Sequence, residues 1–133
     1  MDTVIIQAGG MGTRLLPITA SIPKPLVSIN GIPILEHQIT FFKKYGINNF
    51  TIIVNYLKDS IKDYFKDGER WGVEITYIEE DKKLGTAGSL TQNCHSLPNQ
   101  FIVVYCDYFL NFNLNKFIYF HNSKGNSLAT VIA

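Results

Sequence analysis

The reading turns on Ala8-Gly9-Gly10-Met11-Gly12-Thr13-Arg14-Leu15-Leu16-Pro17, followed closely by Ile22-Pro23-Lys24-Pro25-Leu26. Three glycines stand within four positions, directly behind the apolar run Val4-Ile5-Ile6. That order predicts a buried strand running into a loop with almost no side chains. A glycine backbone can come close to a ligand and turn without steric cost. The free amide N–H groups of such a loop make a seat for phosphate oxygens. Arg14 follows at once, and Lys24 lies ten residues later between two prolines that restrict its backbone. Two placed cations beside an amide cradle point to an anionic, phosphorylated substrate.

Two common phosphate loops are excluded by spacing. A Walker A loop needs Lys and then Ser or Thr after its last glycine, whereas Gly12 is followed by Thr13-Arg14. A dinucleotide fingerprint closes on Gly or Ala, and Gly10-Met11-Gly12-Thr13-Arg14-Leu15 closes on Leu. The acidic ribose partner expected about 20 residues on is replaced by Asn30-Gly31.

Outward from the loop, the pattern alternates. Pro33 opens a helical spacing through Ile34, Leu35, Gln38, Ile39, Phe42 and Tyr45, read as core packing, and Gly46 ends it. Asn49–Val54 reads as a β-branched strand, Lys58–Phe65 as a short helix, and Glu74–Glu79 as an alternating strand. Leu84–Gly88 reads as a second small-residue loop and Ser89–Leu97 as a helix. Phe101–Tyr105 is solidly apolar, which predicts a central strand. A helix over Leu114–His121 and a last strand over Leu128–Ala133 complete the order β-α-β-α-β-α-β-α-β. The expected class is α/β: a Rossmann-like, mostly parallel sheet with helices on both faces. Ligands of such sheets bind off the carboxyl ends of the strands. The glycine loop, Leu84–Gly88 and Asp107 all fall at that edge.

Composition narrows the partners. With 133 residues there is room for one domain, and 46% hydrophobic with 17% charged residues is ordinary for a globular chain. A net charge of +1 leaves no footprint for nucleic acid or an anionic membrane. No apolar run reaches a membrane span, and the first strand begins without a basic leader. Cys94 and Cys106 lie without metal-type pairing and read as free thiols of a reducing cytoplasm. His37, His95 and His121 are scattered and read as structural or surface residues. No Cys/His or Ser/His/Asp arrangement is evident.

The whole signature resembles the sugar-1-phosphate nucleotidyltransferases. Gly9 to Leu15, Pro17, Thr19, Pro23 to Leu26 and Gly31 to Glu36 match its successive parts, and Leu84-Gly85-Thr86-Ala87-Gly88 matches its second loop. The resemblance implies the nucleotide-diphospho-sugar transferase fold and a reaction between a nucleoside triphosphate and a sugar 1-phosphate. Nucleotide would be held by Ala8, Gly9, Gly10, Met11, Gly12, Thr13, Arg14, Lys24, Glu80, Gly85 and Thr86. Arg14 would contact the departing pyrophosphate, and Lys24 the reacting phosphates. Asp107 would hold Mg²⁺, although Tyr105-Cys106 replaces the small residues usual before that aspartate. Glu80 stands where guanylyltransferase-like relatives carry a Glu, which favours guanine, with a solvated strand-end charge as the plainer alternative. Gln7 lies either near the base or buried and hydrogen-bonded. Phosphocholine cytidylyltransferases share much of the signature, and a regulatory homologue binding nucleotide sugar without turnover is a third reading. The family's catalytic domain is longer than 133 residues. Residues 1–133 are therefore expected to be its nucleotide-binding part, cut short at the C-terminal end, with the second metal carboxylate and the sugar site further on. A homo-oligomer is left open.

Overall fold

The computed structural model describes residues 1–82, 84–125 and 127–132. Its elements are β1 (Thr3–Gln7), the two-residue strands β2 (Ser28–Ile29) and β3 (Ile32–Pro33), α1 (Ile34–Lys43), β4 (Asn49–Val54), α2 (Lys58–Phe65), β5 (Glu74–Glu79), α3 (Gly85–Gln92), β6 (Ile102–Tyr105) and α4 (Leu114–Ser123). The main sheet has the order β5-β4-β1-β6 with every ladder parallel. β2 and β3 form a separate antiparallel hairpin that the sequence reading did not anticipate. The class is α/β, as expected.

The central strands explain why their sequences are runs rather than alternations. Val4, Ile5 and Ile6 of β1 are each 0% exposed, so both faces of this strand are covered. On one face Val4, Ile6, Phe50, Ile52, Val54, Ile75, Ile102 and Val104 join Leu35, Ile39 and Phe42 of α1, Ile61 and Phe65 of α2, and Leu114 of α4 in one core. On the other face the registered row Val103–Ile5–Thr51 passes from exposed to fully buried to half-buried. All three helices that build the core therefore sit on the first face.

Four expectations are corrected. Ile102–Tyr105 is an edge strand, not a central one: β6 pairs only with β1 among the described residues, and Val103 and Tyr105 are exposed. An apolar run signals burial but does not say which strand supplies the neighbour. The loop expected at Leu84–Gly88 is already helix, since α3 starts at Gly85. Helix propensity argues against that glycine-rich turn, so the tertiary setting decides. α3 then ends earlier than expected, because the Asn93 side chain donates to the Ser89 carbonyl at 2.9 Å and a 3-10 turn follows over Cys94–Ser96. Lastly, Leu128–Ile132 enters no ladder among the described residues, and Leu128 and Val131 are fully open; Ala133 lies outside the described residues. No described helix is long and apolar enough to cross a membrane.

Candidate active site

Because all four main strands run parallel, their carboxyl ends lie on one edge, and the chain leaving each of them crosses that edge. Ala8 still belongs to the ladder, with its N–H donating to the Ile53 carbonyl at 2.8 Å, and it is buried. The loop lifts away after it. Gly12 has φ of 63°, and a Cβ there would stand 2.9 Å from Thr19 Cγ2, so this position admits only glycine on two counts. The buried Thr19 donates its hydroxyl to the Gly12 carbonyl at 2.7 Å. Tyr56 in turn donates to the carbonyls of Thr19 and Ala20 at 3.2 and 3.1 Å. The loop is thus pinned from below. Gly10 differs: a Cβ there would meet nothing within 4 Å. No packing inside the chain explains why it is glycine, whereas room for a ligand does.

Lys24 opens a 3-10 turn with Pro25 behind it. Its Nζ donates to Asp107 Oδ2 at 2.6 Å, joining residues 83 positions apart. The Cys106 N–H still donates to the Gln7 carbonyl at 3.1 Å, so Asp107 is the first residue past the sheet. Arg14, in the turn Thr13–Leu15, has no ion-pair partner among the described residues. Cys106 is buried, and burial together with the Asp107 charge pushes its thiol up to about 12. It stays protonated at neutral pH and is no nucleophile.

At the end of β5, Glu79 and the next residue, Glu80, are adjacent glutamates with opposite surroundings. Glu79 accepts from Lys58 at 2.7 Å and Lys62 at 2.5 Å, and these two bonds lower its carboxyl to about 2. Glu80 turns the other way. Its N–H donates to the Val54 carbonyl at 2.9 Å and its carbonyl accepts from Asn55 Nδ2 at 2.5 Å. Its Oε1 is buried with no partner among the described residues, and desolvation raises its pKa. An unpaired buried carboxylate oxygen is costly to keep and calls for a reason.

These pieces meet in one cavity of about 350 Å³, lined among others by Gly9, Gly10, Gly12, Thr13, Arg14, Lys24, Glu80, Gly85 and Asp107. The structure thus brings together the glycine loop, both cations, both carboxylates and the start of α3. Ala8 and Met11 do not line the cavity: the first is sheet backbone and the second points to solvent. The side chain of Thr86 lies outside the described residues. Gln7, Leu15, Tyr105 and Cys106 line it as well. A second opening of about 360 Å³ shares Arg14, Lys24 and Asp107 but is otherwise apolar, through residues such as Val27, Ile29 and Ile34. Gln38, read from its spacing as core filler, instead donates to the carbonyls on either side of Asp107. The available signal was a polar residue on an otherwise apolar helix face. His37 faces the Ile29 carbonyl at 3.0 Å and His121 the Thr130 hydroxyl at 2.9 Å, both away from the cavity.

Chemically, the cavity offers backbone amides, two cations and, beside Gly9, a desolvated carboxylate. No three His, Cys, Asp or Glu side chains among the described residues converge as a metal cluster. Asp107 is a single hard oxygen donor at the cavity wall. One carboxylate combined with phosphate oxygens and water is a donor set that suits Mg²⁺, so the residues present fit that ion when a phosphorylated ligand supplies the rest.

The nucleotidyl transferase family model matches residues 3–133. The chain is 40% identical over 112 residues to D-glycero-alpha-D-manno-heptose 1-phosphate guanylyltransferase of Campylobacter jejuni, covering 84% of this chain and 50% of that protein. It is 34% identical over 140 residues to a UTP–glucose-1-phosphate uridylyltransferase of Synechocystis, covering 96% of this chain and 36% of that one. Among solved structures, HddC from Yersinia pseudotuberculosis complexed with GMP-PN superposes with a TM-score of 0.80 at 31% identity, covering 95% of this chain and 55% of that chain. The chain spans half or less of the length of these two curated relatives. A match running nearly from end to end places the chain in the nucleotidyl transferase family, among the sugar-1-phosphate nucleotidyltransferases.

Proposed function

We propose that this chain carries the nucleotide-binding machinery of an enzyme that joins a nucleoside triphosphate to a sugar 1-phosphate, giving a nucleoside-diphosphate sugar and pyrophosphate. The observation that carries this reading is the single cavity holding the glycine loop, Arg14, Lys24, Asp107 and Glu80 over the sheet's carboxyl edge. In the reaction an oxygen of the sugar phosphate attacks the α-phosphorus, and the bond to the β-phosphate bridging oxygen breaks. Nucleophile and target both carry negative charge. Catalysis therefore rests on alignment and on fixed positive charge, with no protein nucleophile needed. The amides of Gly10 to Thr13 would cradle the triphosphate. Arg14, which no carboxylate among the described residues claims, would follow the charge onto the leaving pyrophosphate, and Lys24 would stabilise the α-phosphate as it becomes five-coordinate. Asp107 would hold Mg²⁺, which when bound supplies further neutralisation of the phosphate oxygens.

Guanine is the base this reading favours. The guanine edge presents two adjacent N–H donors, and the buried Oε1 of Glu80, without a partner among the described residues, is an acceptor for one. The names of two relatives point the same way: one is a guanylyltransferase and the other was solved with a guanine nucleotide. A mannose or heptose 1-phosphate is the corresponding acceptor. The test is pyrophosphate release by the full-length protein over four triphosphates and a panel of sugar 1-phosphates. GTP should be the preferred donor. Turnover only with CTP and phosphocholine would replace this reading by a cytidylyltransferase, and tight nucleotide binding without any release would replace it by a regulatory homologue.

A further inference from the structure

We propose that Gln38 is a positioning residue for Asp107, fixing where the carboxylate stands relative to the glycine loop and to a bound metal. This rests on the reading of Asp107 as the metal carboxylate.

Gln38 sits on α1 among the apolar residues Leu35, Ile39 and Phe42, and it is 1% exposed. Its Nε2 donates to two backbone carbonyls, Tyr105 at 2.8 Å and Tyr108 at 2.7 Å. These residues bracket Cys106-Asp107. A primary amide has two N–H groups, and both are spent on this one turn. The turn closes itself only weakly, through Tyr108 N–H to the Tyr105 carbonyl at 3.3 Å. The sheet stops helping at Cys106, whose N–H makes the last bond to β1. Beyond it, the only side-chain bond of Asp107 among the described residues is to Lys24, a flexible partner. The backbone under Asp107 therefore takes its position from Gln38.

The orientation of the amide is not ambiguous. Reversing it would set Oε1 against two carbonyl oxygens. As it stands, Oε1 is buried without a partner among the described residues. A methionine would fill the same space and leave no orphan acceptor on the helix. A polar group kept here at such a cost is best explained by the two carbonyls it holds.

The experiment measures Mn²⁺ as a stand-in for Mg²⁺, by electron paramagnetic resonance, in full-length protein saturated with a non-hydrolysable GTP analogue. Gln38→Met should lower Mn²⁺ affinity about tenfold, the lower end of what loss of an outer hydrogen-bond partner does at metal sites. Affinity for the analogue in chelator, without metal, should stay within about twofold of the parent, since neither carbonyl touches the glycine loop. Ile39→Val, a neighbouring core change at a side chain that can make no hydrogen bond to the turn, should leave Mn²⁺ affinity unchanged even if it melts earlier; a purely structural role for Gln38 predicts that the two variants behave alike. If Gln38→Met does not fold, Gln38→Asn carries the test. Its amide is shorter by one bond of about 1.5 Å and cannot reach both carbonyls, so Mn²⁺ affinity should again fall. Parent-like Mn²⁺ binding in whichever variant folds overturns the proposal. Asp107→Asn separates the two levels: if it binds Mn²⁺ like the parent, the metal reading of Asp107 fails; if it loses binding while the Gln38 variant keeps it, only the positioning role fails.

Discussion

The two ends of the cavity solve opposite electrostatic problems. At the β6 end the charges are already matched: Lys24 and Asp107 bridge at 2.6 Å, with side chains 20% and 36% exposed. At the β5 end Glu80 carries a buried oxygen that nothing among the described residues satisfies. A matched pair costs little to keep and can exchange partners when phosphate and metal arrive. An unmatched carboxylate costs stability until a ligand brings donors. The first arrangement suits groups shared by every triphosphate, and the second suits the part that differs between them. The proposed function accordingly places chemistry at one end and choice of base at the other.

The division is broken most forcefully at Lys24. In pyrophosphate-release assays of the full-length protein, Lys24→Ala should reduce the proposed turnover by about 10²–10³-fold, the usual loss for one charge-stabilising group, while far-UV circular dichroism stays unchanged. The relative preference among the four triphosphates should not move. Near-normal turnover would remove Lys24 from the mechanism, and a changed base preference would blur the two ends.

The loop itself sharpens the comparison through paired glycines. Gly12→Ala places a Cβ at positive φ and against Thr19 Cγ2, and should cost about 2–3 kcal/mol in a denaturant titration. Gly10→Ala meets no neighbour and should stay within about 0.5 kcal/mol of the parent. It should nonetheless weaken triphosphate binding measured by calorimetry. Equal stabilities for the two variants would contradict the packing described here.

At the other end, Glu80→Gln should reduce discrimination for GTP over the other triphosphates by about 10–100-fold, equivalent to ~1–3 kcal/mol for a paired contact to a base edge. The same change should stabilise the ligand-free protein. The sign follows from linkage: the folded pKa of Glu80 is raised, so the folded state holds this proton more tightly than the unfolded chain. Stability is greatest below the ordinary value near 4.5 and falls as pH climbs through the raised one. Removing the charge removes that loss.

Glu79 supplies the smallest effect with the reverse sign. Its carboxyl is lowered from 4.5 to about 2 by Lys58 and Lys62, so its contribution is complete above 4.5 and disappears as pH falls toward 2. Glu79→Gln should flatten that acid limb slightly. Half-molar salt should do nearly the same to the parent, because the pairs are solvent-exposed and screened.

Much of this was legible in the chain. Asn49–Val54, Lys58–Phe65 and Glu74–Glu79 read from composition and period coincide with β4, α2 and β5. Local signals suffice where a segment's own pattern sets its state. The convergence of residues 9–14, Gly85 and Asp107 followed from parallel topology alone, which puts every strand's exit on one edge. What was hidden depended on partners distant in sequence. The edge position of β6 depends on which strands flank it. The opposite fates of Glu79 and Glu80 depend on where Lys58, Lys62 and Val54 stand in space. Gln38 passed as core filler because helical spacing reports burial and not what a buried amide binds. The start of α3 was missed because Gly85 and Gly88 read as a loop until packing made them helix.

The most direct test is a crystal structure of the full-length protein with a non-hydrolysable GTP analogue and magnesium. The account predicts the triphosphate on the amides of residues 10–13, Lys24 turned from Asp107 toward the α-phosphate, and the guanine edge within hydrogen-bonding distance of Glu80. A nucleotide bound with its phosphates away from that loop, or with its base away from Glu80, would contradict it.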